Sequence, residues 1–255
     1  MRKLIAILVL FQLWCNYSCT DTTITDEIDL GETSLFLVRN IEPKSDNLIF
    51  FNMHENEKTS INAIRTYAKE HRINYIYLKH TGERRISFEL QGTYSFDPNR
   101  IFTPKGRKAT LLDGGNHSDS AQRTVAQFAK DILFELKDKK TIIAMHNNTD
   151  ENYSIQSYMP DSSEAVNAKD LFINPDMDPD DFIYTTVPYF YDALVRKGIN
   201  VILQDNQNFA DDGSLSVYCS INDVQYINIE TEHDHLEKQL ELMTIIHAII
   251  LESEK

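Results

Sequence analysis

The chain has 255 residues, 42% of them hydrophobic and 25% charged, which is material for one sizeable core rather than several small ones. Its formal net charge is -14, from 39 acidic and 25 basic side chains. An acidic surface lacks the basic footprint that phosphate backbones require, so nucleic acid is excluded as a partner.

Arg2 and Lys3 precede an apolar run over residues 4–14, the pattern of an export signal and too short to span a bilayer. The signal is assigned to residues 1–19, which places the protein outside the cytoplasm, in the periplasm or cell envelope. Cys15 and Cys19 follow the apolar run. Ser18 suits a lipidation signal before Cys19, whereas Asn16 and Tyr17 do not. Lipidation at Cys19 and plain secretion therefore both stay open, and a lipidated Cys19 is the only membrane attachment expected. Beyond this region Cys219 stands alone, so there is no disulfide framework, and it reads as a small buried residue.

Residues 20–45 are polar and read as a tether with a lead-in strand at 34–39, and residues 46–255 read as the functional domain. Short apolar, β-prone runs predict strands at 47–52, 74–79, 141–145, 182–187, 201–204, 214–220 and 225–229, with a one-sided strand at 85–90. Helical periodicity predicts helices at 58–72, 118–137 (capped by Ser118 or Asp119), 189–197 and 233–253. The Gly, Pro and Asn clusters of 91–116 and the polar stretch 147–181 read as loop, and Asp211-Asp-Gly-Ser214 as a turn. Alternating strands and helices give an α/β class: a mixed, mostly parallel central sheet flanked by helices.

Three of the apolar strands run into reactive residues. The first leads to His54-Glu-Asn-Glu57, the second to His146-Asn-Asn-Thr149, the third to Glu230-Thr-Glu-His233. Ligands of open α/β sheets bind at the carboxyl ends of strands, so these three ends on one sheet edge would gather His54, Glu57, His146 and Glu230. Zinc hydrolases take three ligands from His and Glu, and a His-x-x-Glu at the turn into a helix aims both side chains at one ion. A remote His completes the set. A further Glu can take a proton from the attacking water. Glu230 shares its strand face with Asn228 and is preferred over Glu232 for that task. His233 and His235 read as surface residues at a helix start.

With these motifs in order, the sequence resembles the zinc carboxypeptidases of the carboxypeptidase A type and their aspartoacylase and succinylglutamate desuccinylase relatives. The resemblance spans residues 47–232 as scattered motifs: His54-Glu-Asn-Glu57, Asp97-Pro-Asn-Arg-Ile-Phe102, the strand ending in His146, and Ile227-Asn-Ile-Glu230. It implies Zn2+ held by His54, Glu57 and His146, with Glu230 as general base. It also implies that Asn99 and Arg100 grip a substrate carboxylate, as a guanidinium fork can. An upstream Arg would polarise the scissile carbonyl; Arg85 is favoured over Arg84. The spacing from Glu57 to Asn99 is shorter than in the digestive carboxypeptidases, and Asn147-Asn148-Thr149 is closer to the deacylase branch. Tyr218 is placed by core packing rather than beside the substrate.

The function expected is hydrolysis of an amide bond in a small peptide, a peptidoglycan-derived fragment or an acylated amino acid. The alternative is a non-catalytic envelope protein of the same fold that binds a carboxylated ligand.

Overall fold

The computed structural model describes residues 23–42, 47–149 and 153–253. The export signal, Cys15 and Cys19 lie outside the described residues. The strands are β1 (Ile24–Leu30), β2 (Thr33–Asn40), β3 (Leu48–Asn52), β4 (Asn74–Lys79), β5 (Ile86–Glu89), β6 (Thr93–Phe96), β7 (Thr141–Asn148), β8 (Ala168–Phe172), β9 (Phe182–Thr185), β10 (Val201–Gln204) and β11 (Gln225–Glu232). The helices are α1 (Lys58–Glu70), α2 (Pro104–Asp113), α3 (Asp119–Leu136), α4 (Pro188–Arg196), α5 (Leu215–Ile221) and α6 (Leu236–Ser253).

Nine strands form one mixed sheet in the order β1-β2-β4-β3-β7-β11-β9-β10-β8, and β5 and β6 form a separate hairpin. The centre, β4-β3-β7-β11, is parallel. Parallel pairing recurs between β9 and β10, and the remaining neighbours are antiparallel.

β3 and β7 are buried along their whole length, as expected of strands covered on both faces. Their alternation assigns each face. Leu48, Phe50, Ile143 and Met145 pack with α1, α4 and α6 through Ile64, Leu194 and Ile246. Ile49, Phe51, Ile142 and Ala144 pack with α2, α3 and α5 through Leu111, Phe128 and Leu215, and with the hairpin residues Phe88 and Phe96. α3 begins where its cap predicts, with Ser118 Oγ accepting from Ala121 N at 3.1 Å. Among the described residues no helix is long and apolar enough to cross a membrane.

Four local expectations are corrected. Part of the tether is a β-hairpin, in which Gly31 turns β1 into β2 at φ +67°. The 91–116 segment holds β6 and α2; Thr103 caps α2 by accepting from Gly106 N, with Pro104 in its first turn. Residues 214–220 form helix α5 rather than a strand. Ser214 Oγ accepts from Val217 N there, a cap that outweighs the β-prone Val-Tyr-Cys run. The polar 147–181 stretch carries β7 on to Asn148 and contributes the sheet-edge strand β8. Tyr218 accordingly sits on α5, its ring 6.4 Å from that of Phe102.

Candidate metal centre and substrate cavity

β3, β7 and β11 are adjacent and parallel to one another along the sheet, so their carboxyl ends share one edge. The chain leaves β3 at Asn52 and turns at once into α1, with Glu57 N donating to His54 O at 3.1 Å. That turn sets the His54 and Glu57 side chains side by side, both fully buried. His146 lies within β7, directly opposite Glu230 of β11 in the parallel register.

Three donor groups converge. His54 Nδ1 is 2.9 Å from Glu57 Oε1 and 3.1 Å from His146 Nδ1, and His146 Nδ1 is 3.0 Å from Glu57 Oε2. Ligands around a tetrahedral zinc at ordinary bond lengths stand roughly 3.3 Å apart, so the triangle needs little adjustment to take the ion. The His54 ring is oriented by its far nitrogen, Nε2, which donates to Asp97 Oδ1 at 2.8 Å. In the neutral ring this leaves the Nδ1 lone pair aimed at the centre of the triangle. Two imidazole nitrogens pointing at each other beside a carboxylate, all buried, form a donor set that fits a divalent metal.

The charges are tightly coupled. Burial opposes ionisation of His54, but Glu57 and the hydrogen bond that the ring donates to Asp97 outweigh it and push the imidazole up to about 9. Burial likewise opposes ionisation of Glu57 and Asp97, yet His54 and His146 hold Glu57, and His54 with Arg84 and Arg100 holds Asp97, well below the usual carboxylate range. Glu230 moves the other way: burial raises its pKa against the pull of His146 and the hydrogen bond from Asn228 Nδ2 at 2.9 Å.

A polar web holds these strands in register. Asn147 Oδ1 accepts from Ser60 N at the start of α1, and Asn147 Nδ2 donates to Thr231 Oγ1, next to Glu230. From α6, the buried Gln239 donates to Ser60 Oγ at 2.7 Å and to the His146 carbonyl at 3.1 Å. Asn147 and Gln239 thus tie the ends of β7 and β11 to the start of α1.

Beyond the triangle opens a cavity of ≈ 430 Å³, lined among others by Arg84, Asn99, Arg100, Tyr184 and Glu230. Asp97 caps the short turn Pro98–Arg100, accepting from Asn99 N at 2.8 Å, so one carboxylate orients both His54 and the Asn99-Arg100 pair. That pair is docked on the 211–215 turn: Asn99 Oδ1 accepts from Leu215 N, and Phe102 N donates to Gly213 O. Gly213 has φ +82°, and a Cβ there would lie 2.5 Å from the Arg100 carbonyl oxygen, so only glycine fits.

His54, Glu57, His146 and Glu230 are therefore together, and Asn99 and Arg100 border the same cavity. Arg85 does not. Its guanidinium reaches Asp113 Oδ2, the Thr110 carbonyl and Ser95, a structural clamp between the hairpin and α2. Arg84 is the arginine at the site, 2.8 Å from Glu57 Oε1 and 3.5 Å from Asp97 Oδ2. Both arginines stand in the bend before β5, outside the regular alternation of that strand, and reach different partners. His233 borders the cavity, while His235 turns to Glu232 and Asp181.

Sequence reasoning missed the orienting role of Asp97, although that residue opens the Asp-x-Asn-Arg motif. It also missed Asp212 and the tyrosines Tyr153, Tyr158, Tyr184 and Tyr226 that line the cavity. Tyr153 and Tyr158 join their hydroxyls in a hydrogen bond.

Fold and site together define an α/β protein with a buried His-Glu-His metal-binding group at the carboxyl ends of its central strands. No protein-family model and no curated protein matches the sequence. Among solved structures the chain is similar to a provisionally assigned metallopeptidase from Shewanella baltica OS155, at 14% identity over 89% of this chain and 86% of that one, TM-score 0.46. It is similar also to murein-tripeptide amidase MpaA from Escherichia coli O157, at 10% identity over 88% and 91%, TM-score 0.46. A third is thrombin activatable fibrinolysis inhibitor, at 10% identity over 89% and 68%, TM-score 0.47. Identities this low say nothing of activity; what the chain can do follows from its own side chains.

Proposed function

We propose that the protein is a zinc-dependent hydrolase of amide bonds that acts on a carboxylate-bearing substrate in the cell envelope. The observation that carries this reading is Glu230, a buried carboxylate with a raised pKa set opposite His146 in the strand register, beside a three-ligand metal-binding group. A buried carboxylate so placed suits a general base.

His54, Glu57 and His146 would hold the metal, and Asp97 fixes the ring of His54. When bound, the metal supplies Lewis-acid polarisation of the scissile carbonyl and acidifies water. Glu230 takes the proton of the attacking water and later delivers it to the leaving amine. Asn228 holds Glu230 Oε1, and Glu230 borders the cavity. Arg84 borders both Glu57 and the cavity, where its guanidinium can steady negative charge on the carbonyl oxygen. Arg100, with Asn99 beside it, takes the substrate carboxylate. The non-catalytic alternative gives no reason for burying Glu230 next to this group.

Metal content of the purified protein tests this reading. One zinc per chain is expected in the native protein and in Glu230→Gln, and none in His146→Ala. Glu230→Gln is expected to lose turnover by about 100- to 10,000-fold with its metal retained. A native protein that takes up no divalent metal, or a Glu230→Gln variant that works normally, overturns the assignment.

A further inference from the structure

Resting on the hydrolase reading above, we infer that the residue held at Arg100 carries a cationic group as well as its carboxylate, so that the substrate is basic or zwitterionic rather than acidic. Three observations converge. First, the guanidinium proposed to grip the carboxylate is already neutralised: Arg100 Nη1 lies 2.9 Å from Asp212 Oδ2 at the cavity wall. The Nη2 and Nε edge stays available to a ligand, but the pair is neutral, and a bare carboxylate gains little from it.

Second, this end of the cavity is acidic. Glu164 lines it together with Asp212. The buried Tyr184 phenol is pushed above its ordinary pKa first by burial and then by neighbouring groups that include both carboxylates. A ligand carrying a second carboxylate, as an acylated acidic amino acid does, would meet repulsion here, whereas an ammonium would restore charge balance.

Third, the cavity holds buried acceptors with no donor. Asn228 Oδ1 and Asn148 Oδ1 have no hydrogen-bond partner, and both residues line the cavity. Their amide orientations are set by their nitrogens, which donate to Glu230 Oε1 and to the Asp180 carbonyl. Unfilled acceptors call for a ligand rich in N–H groups, as an ammonium and an amide N–H supply. Asp212 is in turn held in place, its Oδ1 accepting from Ser214 N at 2.8 Å, so the acceptor is presented by a fixed turn.

The test compares Nα-acetyl-lysine, Nα-acetyl-norleucine and Nα-acetyl-glutamate as substrates of the zinc-loaded protein, with Asp212→Asn and Glu164→Gln beside the native chain. Metal content and thermal unfolding are measured on each variant to show that it is folded. The lysine derivative is expected to exceed the norleucine derivative at least about tenfold in kcat/KM, mainly through KM. The glutamate derivative should be the poorest, and Asp212→Asn should bring the lysine and norleucine values together. Equal use of lysine and norleucine derivatives, a preference for glutamate, or a preference that Asp212→Asn does not move would overturn the inference while leaving the hydrolase reading intact. If none of the three is cleaved, calorimetric binding of free lysine, norleucine and glutamate to the same proteins decides it. Tighter lysine binding lost in Asp212→Asn supports the inference, and any other order overturns it.

Discussion

Metal uptake is expected to expel a proton from His54. In the metal-free chain burial opposes the charge on this imidazole, but Glu57 and Asp97 hold it, and its pKa is pushed up to about 9. A metal takes only the neutral nitrogen. At pH 7 about 1% of molecules would present it, a deficit of two pKa units or about 2.7 kcal/mol, which lowers the apparent affinity about 100-fold. The affinity for Zn2+ should therefore climb about tenfold per pH unit between pH 6 and 8. Calorimetric titration at pH 7 in buffers of different ionisation enthalpy should report about one proton released from this ring, against about a quarter from an imidazole of ordinary pKa. Asp97→Asn removes one of the two carboxylates that hold the charge and leaves all three ligands in place, so it should release less. The stability of the stripped protein carries the matching sign. A raised His54 pKa contributes stability that is fully present below pH 6.5 and is lost as pH rises through about 9, so its unfolding temperature should fall over that window. An affinity that is flat with pH, or equal proton release from the native and Asp97→Asn proteins, would refute the reasoning.

Arg84→Ala should lower kcat about 100- to 1,000-fold, as loss of a donor to the developing negative charge does. Arg85→Ala should leave kcat within about threefold of the native value and lower the unfolding temperature instead, because its hydrogen bonds hold the hairpin to α2. Steady-state kinetics and calorimetric melting on the pair separate the two, and the reverse pattern would return the catalytic role to Arg85. Gly213→Ala places a Cβ against the Arg100 carbonyl and the Gly106 backbone at positive φ; it should cost about 1–3 kcal/mol by denaturant unfolding. It should also raise KM more than it lowers kcat, and an unchanged KM would detach this turn from substrate binding.

The strand-borne part of the site was legible because continuous apolar runs and the strand-end rule are read locally. Apolar runs ending in His54, His146 and Glu230 announce buried parallel strands, and such strands have few alternatives but to align their carboxyl ends. What was not legible depends on pairings far apart in sequence. The Arg100–Asp212 ion pair joins a turn before α2 to a turn before α5, and nothing near either residue specifies the other. The choice between Arg84 and Arg85, both in the bend before β5, depends on which of them meets α2. It was settled by Asp113 and Thr110, in a helix that the Gly, Pro and Asn content of 91–116 had concealed. Helix α5 was mistaken for a strand because Val-Tyr-Cys favours β structure locally, while the Ser214 cap acts on the backbone and fixes the helix.

The two halves of the site differ in how they are built, and that difference predicts how they respond to change. The metal-binding triangle and Glu230 stand on three adjacent central strands or just beyond their ends, cross-tied through Asn147 and Gln239. A change there alters several ties at once and should abolish the reaction rather than redirect it. Arg100, Asp212 and Glu164 stand on turns and short helices outside the sheet core, where a single side chain can change without disturbing the central strands. Substitutions on that rim should change which residue is bound and leave the water-activating group in place. Metal affinity and substrate preference should accordingly vary independently across the two sets of variants, and strong coupling between them would mean that the rim, through Asp97, governs the metal-binding group as well.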